Sequence, residues 1–258
     1  SFEKMGATAG DLIARDVVAN WLEQAGIACD IALAPPFTGG VDWQQTDPLD
    51  YTDVIFVCGP FGNGWPVTEF LEHFSNARLT GLNLSMLEPL EAWNPFDILY
   101  ERDSSAGANP DLSLLGPPSS TPVVGLVLAH KQKEYGARAR HEFVETEIRK
   151  FIGTRDMALV PIDTSLDKNA GGLRTAGEVE ALVARMDLVI TTRLHGTVLA
   201  LKNGVPAIPI DPIAGGAKIT RQVRTLGWPI LLQAERLDGN ALQTAFDYCL
   251  RAEARSAA

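Results

Sequence analysis

Cysteine is scarce. Cys29, Cys58 and Cys249 are the three in 258 residues, an odd number that does not cluster. That excludes a disulfide framework and a thiolate zinc site, and the three read as reduced thiols of a cytosolic protein. Long apolar runs are also missing: none approaches the ~20 residues that span a membrane. No secretory signal is legible at the start. Positive charge is short as well, with 22 Lys and Arg against 32 Asp and Glu and a formal net charge of −10. A general nucleic-acid binder would show a basic face; a small anion held by a few local cations stays possible. No CxxC or HExxH spacing and no GxSxG is present, which argues against a metalloenzyme or a serine hydrolase.

What is there is an ordinary globular composition, 46% apolar, in a chain long enough for one large or two small domains. Residues 8–25 carry an apolar stripe at helical spacing, with Thr8 and Asp11 as start signals and Gly26 as a C′ residue. Ile27–Leu33 is expected to be a strand, as are Val54–Cys58, Leu79–Leu84 and Phe96–Leu99, with a helix over Pro66–His73. The start runs into a helix almost at once, so a preceding strand is expected to be absent. Gly116–Pro122 has linker composition. Beyond it the pattern restarts with strands Val123–Leu128 and Met157–Ile162 and a helix over Ala137–Phe151. Thr175–Glu178 fits a capping box, and strands Leu188–Ile190 and Val205–Ile210 flank a short helix. A final helix is expected over Leu237–Ala254. Strands alternating with helices on both sides of the linker predict an α/β fold of two doubly wound, Rossmann-like lobes, 1–116 and 123–258, joined by 117–122.

The segment Asp187–Gly196 concentrates chemistry. An apolar strand runs into Arg193, His195 and Gly196 where a helix begins. In an open α/β sheet that is where ligands bind, and a helix N-terminus there favours an anion. His195 suits proton transfer because imidazole titrates near neutrality; the plainer alternative is a helix-start pair bonded to nearby backbone. Arg102–Asp103–Ser104 also follows a strand, either as a second cation for an anion or as a surface ion pair with a cap. Gly59–Gly64, which includes Asn63, is a flexible turn or a loop that lets an acceptor approach the backbone. His130, Lys131 and Lys133 form a solvated charge run or a phosphate site. Lys218 follows Gly215–Gly216. Gly10–Asp11 opens the first helix, as a cap or with Asp11 as a carboxylate taking a hydroxyl proton.

Asp187–Gly196, with Ala200, Gly204–Val205–Pro206 and Ile208, resembles the signature of the polysaccharide pyruvyl transferase family. Gly10–Asp11, the Asp53 strand with its glycine-rich loop, and Arg102–Asp103–Ser104 match in the family's order, and Lys218 and Leu226–Gly227 fit the region after the signature. The resemblance implies a two-lobed GT-B-type fold with an interlobe cleft. It implies a transferase that moves pyruvate from phosphoenolpyruvate onto sugar hydroxyls of a glycan or lipid-linked precursor as a ketal. No cofactor is implied beyond phosphoenolpyruvate as donor substrate. Arg193, His195 and Gly196 would hold the donor, with Arg102, Lys218 and His130 assisting. His195 would act as general acid, Arg193 as anion clamp and Asp11 as base, while Gly10, Asp11, Asn63 and Gly64 would face the acceptor. The expected setting is cytoplasmic, with room for peripheral contact at the inner face of the membrane and no nucleic-acid partner. The chain departs from the family in being short, in lacking the first strand, and in reading Asp211–Pro212–Ile213 where many members carry a tyrosine. The alternatives are a GT-B glycosyltransferase or epimerase using a nucleotide sugar, and a non-catalytic sugar- or anion-binding protein.

Overall fold

The computed structural model describes residues 2, 6–129 and 133–258, with the backbone alone at 133. The chain divides into two compact units, Ser1–Pro118 and Ser119–Ala258. Among the described residues no helix is long and apolar enough to cross a membrane.

The first unit opens with α1 (Ala9–Gln24), started by the capping box of Thr8 and Asp11 and burying Ala14, Val17 and Val18. Ile27–Leu33 does not form the expected strand. Among the described residues its pairing is a single bridge between Ala32 and Val41, and one bridge is too short to make a strand. The strands that do form are β1 (Asp53–Val57), β2 (Pro60–Phe61), β3 (Arg78–Leu82), β4 (Ser85–Met86) and β5 (Ile98–Tyr100), with α2 (Val67–His73) after β2. β1, β3 and β5 make a parallel sheet in that order, and β2 pairs with β4 beyond its carboxyl end. Aromatic rings fill the core: Phe56 meets Phe70 at 5.0 Å and Phe61 at 4.7 Å, both edge-on, the geometry ring quadrupoles favour.

The second unit carries β6 (Val123–Val127), α3 (His141–Ile152), β7 (Ala158–Pro161), α4 (Ala176–Val183), β8 (Leu188–Thr191), α5 (Leu194–Lys202), β9 (Ala207–Asp211), α6 (Lys218–Leu226), β10 (Leu232–Gln233), α7 (Gly239–Cys249) and α8 (Ala252–Ala257). Its five strands are parallel in the order β7-β6-β8-β9-β10 reading from the other edge. Side-chain alternation sorts the core onto two faces. Val124, Leu126, Leu188, Ile190, Ile208 and Ile210 pack with α3, α6 and α7. Val127, Val189 and Ala207 pack with α4 and α5. This unit is therefore doubly wound.

Several boundaries differ from expectation. The helix expected over Ala137–Phe151 starts at His141, because Lys133–Arg138 is a 3₁₀ segment broken by Gly136 at φ 49°. The helix over Leu237–Ala254 is two helices, since Arg251 is extended between them. α6 and β10 were not anticipated.

Candidate functional site

In the second unit the chain leaves β6 toward β7 on one side, then returns past β6 to build β8, β9 and β10 on the other. Loops from the carboxyl ends of β6 and β8 diverge at such a reversal, which is where open α/β sheets take ligands.

The turn from β8 into α5 is clamped to the end of β6. The fully buried Thr191 hydroxyl donates to the Val127 carbonyl (3.0 Å) and accepts the Arg193 N–H (2.9 Å). Thr192 N–H reaches the same carbonyl at 3.0 Å, and its hydroxyl accepts the Ala129 N–H at 2.7 Å. Gly196 lies directly over this clamp: a Cβ there would collide with Thr191 Oγ1 and stand 3.0 Å from Val127 Cγ1. Only glycine lets the first turn of α5 sit this close to the strand ends.

Arg193 ties three strand ends together. Its Nε donates to the Leu128 carbonyl after β6 at 3.1 Å. Its Nη1 donates to Thr164 Oγ1 and Ser165 Oγ after β7, both at 2.9 Å, with Asp163 Oδ1 at 3.9 Å. That loop is stapled by Asn169, whose amide donates to the carbonyls of Asp163 (2.8 Å) and Ser165 (2.7 Å) and whose oxygen accepts from Gly171 and Leu173. Nη2 of Arg193 carries no hydrogen bond among the described residues. Sequence reasoning missed Asp163–Ser165 and Asn169. The available signal was a hydroxyl-bearing run directly after a strand, the same arrangement noticed at Arg102–Ser104.

Three helix starts along this edge differ in charge. α6 is filled from within: the buried Asp211 carboxylate accepts from Ala217 N–H (2.7 Å), Thr220 N–H (3.0 Å) and Thr220 Oγ1 (2.7 Å) through Oδ2, and from Ile213 N–H (3.2 Å) through Oδ1. α3 starts at Arg140 with Glu142 in its first turn, beside a hollow of about 200 Å³ lined by Ala139–Phe143. α5 has neither device. Its N-cap residue is Arg193, which has no acceptor to offer, and its first turn holds no acid. Among the described residues no side chain caps its positive end, the kind of helix start that favours an anion, and the exposed His195 is on the same turn. Lys218 begins α6 one strand over and is half-buried. His130, with Lys131, lies outside the described residues.

Asp211 supports a prediction on stability. Asp211→Ala strips four donors of a buried charged acceptor, and the second unit is expected to lose about 3 kcal/mol. Urea unfolding reads this directly; a loss below about 1 kcal/mol, the scale of an ordinary exposed cap, contradicts the role.

In the first unit, Asp11 Oδ2 accepts from Thr8 N–H (2.7 Å) and Thr8 Oγ1 (2.9 Å), so the cap reading of Gly10–Asp11 is realised there; Oδ1 carries no hydrogen bond among the described residues. Arg102 is more committed than an anion clamp would be. Its Nε meets Asp103 (3.2 Å), Nη1 meets Asp111 (2.9 Å) and Nη2 donates to Ser85 Oγ. The Ser85 hydroxyl and Arg102 hold Asp103 below the usual carboxylate range. Ser113 and Arg102 do the same for Asp111. Two carboxylates thus already neutralise this guanidinium, and the ion-pair alternative is the one the geometry carries. Cys58 lies nearby at φ 60°, with Sγ 3.4 Å from Asn83 Oδ1. Burial and the charges of Asp111 and Asp11 push its thiol up to about 11, which disfavours the thiolate. Asn63 and Gly64 are exposed on the loop between β2 and α2.

Residues 142–212 match the family model for polysaccharide pyruvyl transferase. The match runs from the start of α3 past the end of β9 and includes Arg193, His195 and Gly196. Among solved structures, the glycotransferase of kitacinnamycin is similar at 13% identity and TM-score 0.35, over 69% of this chain and 48% of that one. The glycosyltransferase SnogD from Streptomyces nogalater is similar at 18% identity and TM-score 0.34, over 74% and 54%. The chain spans about half the length of these two structures. No curated protein matches.

Proposed function

We propose that the chain is a transferase that moves pyruvate from phosphoenolpyruvate onto two hydroxyls of a glycan as a ketal. The observation that carries this reading is the uncapped start of α5, where Arg193 is held across three strand ends beside the exposed His195, within the segment that matches the family.

The donor brings a phosphate and a carboxylate. The fork of Arg193 and the open N–H groups of α5 supply donors for one of them, with Lys218 contributing charge. His195 delivers a proton to C3 of the enol, leaving an electron-poor C2. A sugar hydroxyl adds to C2, phosphate departs, and a second hydroxyl closes the ketal. Of the two hydroxyl protons, one is balanced by the proton gained at C3 and the other leaves with phosphate. We assign Asp11, through its Oδ1, as the acceptor of a hydroxyl proton, with Gly10, Asn63 and Gly64 on the acceptor side.

Incubating the protein with phosphoenolpyruvate and a panel of glycan acceptors is expected to release phosphate only when both are present, with a mass gain of one pyruvate less water on the acceptor. Thermal shift provides the contrast: stabilisation by a nucleoside diphosphate sugar and none by phosphoenolpyruvate overturns the proposal in favour of a glycosyltransferase.

A further inference from the structure

We propose that the loop between β2 and α2 binds a neutral sugar residue, with the Trp65 ring as stacking face and the Asn63 amide as hydrogen-bonding edge; this rests on reading the chain as a glycan-modifying transferase. The loop sits where a parallel sheet takes ligands. Beyond the end of β1, β2 pairs with β4, so Gly62–Trp65 and Leu87–Glu88 stand together past the carboxyl ends of the strands. Leu87 lies so close to Gly62 that a Cβ at 62 would stand 2.9 Å from its Cδ1.

Trp65 is 70% exposed and Leu87 66% exposed, so neither belongs to the core. The indole N–H of Trp65 donates to Glu69 Oε2 at 3.2 Å. With its one polar atom bonded, the ring has only apolar surface left to offer. Beneath the loop, buried Phe61 stacks on Trp93 with centroids 5.5 Å apart and planes 16° from parallel. Glu88 Oε1 accepts the Asn63 N–H at 3.1 Å, and Gly64 N–H closes on the Gly62 carbonyl at 3.0 Å. The backbone is therefore set, while the Asn63 side-chain amide is exposed and has no hydrogen-bond partner among the described residues.

An apolar plane two residues along the loop from an exposed amide suits a pyranose: its C–H face can pack on a ring and its hydroxyls can take both donor and acceptor of an amide. Charge narrows the class. Between 59 and 77, and between 83 and 101, the chain has no Lys or Arg, while Glu69 and Glu88 flank the plane. A phosphate, a uronic acid or a nucleic acid is repelled there, and a net charge of −10 works against a second copy of the chain.

The test is equilibrium binding without donor, followed by intrinsic fluorescence, of methyl glycosides of glucose, galactose, mannose and N-acetylglucosamine and of lactose. Phosphoenolpyruvate binding is measured separately by calorimetry. At least one sugar is expected to bind, about tenfold more weakly in Trp65→Ala and Asn63→Ala, with partial retention in Trp65→Phe. Phosphoenolpyruvate affinity and Tm are expected to match wild type in all three. Wild-type sugar affinity in both alanine variants, or no sugar bound by the wild type, overturns the proposal. So does self-association that Trp65→Ala abolishes without any sugar binding. Sugar binding lost with Trp65 in a protein that ignores phosphoenolpyruvate keeps the surface and removes the pyruvyl-transfer reading. Phosphoenolpyruvate binding with sugar affinity indifferent to Trp65 does the reverse.

Discussion

His195→Ala is expected to lower turnover with phosphoenolpyruvate and acceptor by about 10²–10⁴-fold, the range for loss of a positioned general acid. The folded state should not register the change. His195 is exposed on the first turn of α5, and none of the hydrogen bonds that hold that turn to β6 uses its ring. The comparison is therefore clean: kcat falls, Tm stays, and phosphoenolpyruvate still binds through Arg193. His195→Gln separates hydrogen bonding from proton transfer, since the amide replaces the ring's donor and acceptor but cannot deliver a proton; it is expected to resemble alanine in kcat. Turnover at the wild-type level in His195→Ala assigns the acid elsewhere and removes the residue from the mechanism.

Arg193→Lys is expected to lower kcat/KM for phosphoenolpyruvate about 10²-fold, equivalent to about 2.7 kcal/mol of transition-state stabilisation. Lysine keeps the charge but not the fork. The guanidinium reaches Leu128 and the Thr164–Ser165 pair at once, and a flexible ammonium cannot serve both directions and also the proposed donor. Arg193→Met goes further, because it removes the charge together with the bonds to Leu128, Thr164 and Ser165. That variant is expected to lose stability along with affinity, so the lysine variant is the better measure of donor binding. Unchanged kinetics in Arg193→Lys would mean the guanidinium serves only to hold loops together.

Much of this site was readable from contiguous residues. The strand, turn and helix of 188–202 announce themselves because an apolar run, a glycine and a helical stripe lie side by side in the chain. The capping boxes at Thr8 and Thr175 were legible for the same reason, their reciprocal bonds spanning three residues. Ile27–Leu33 shows the limit of that logic. Its composition suits a strand, but a strand exists only with a partner ladder, and among the described residues its ladder is one bridge to Val41. α6 shows the opposite failure. No cap adjoins its start, since the capping carboxylate is Asp211, at the end of β9 and across the Gly215–Gly216 turn.

Local pattern thus sufficed to name α/β alternation, the linker composition at Gly116–Pro122 and the cationic turn after β8, because each is a property of neighbours along the chain. Strand order needed three dimensions. β8 lies beside β6, and β6 beside β7, and that order brings Leu128, Thr164 and Ser165 to one guanidinium. Whether Arg102 was a clamp or an ion pair depended on Asp111 and Ser85, and the lack of a side-chain cap on α5 among the described residues stands out only against the filled start of α6. Hydrogen bonds between residues far apart in sequence leave no periodicity to read. They exist because burial of two apolar sheet faces sets the order of the strands, and the loops at the strand ends meet whichever partners that order supplies.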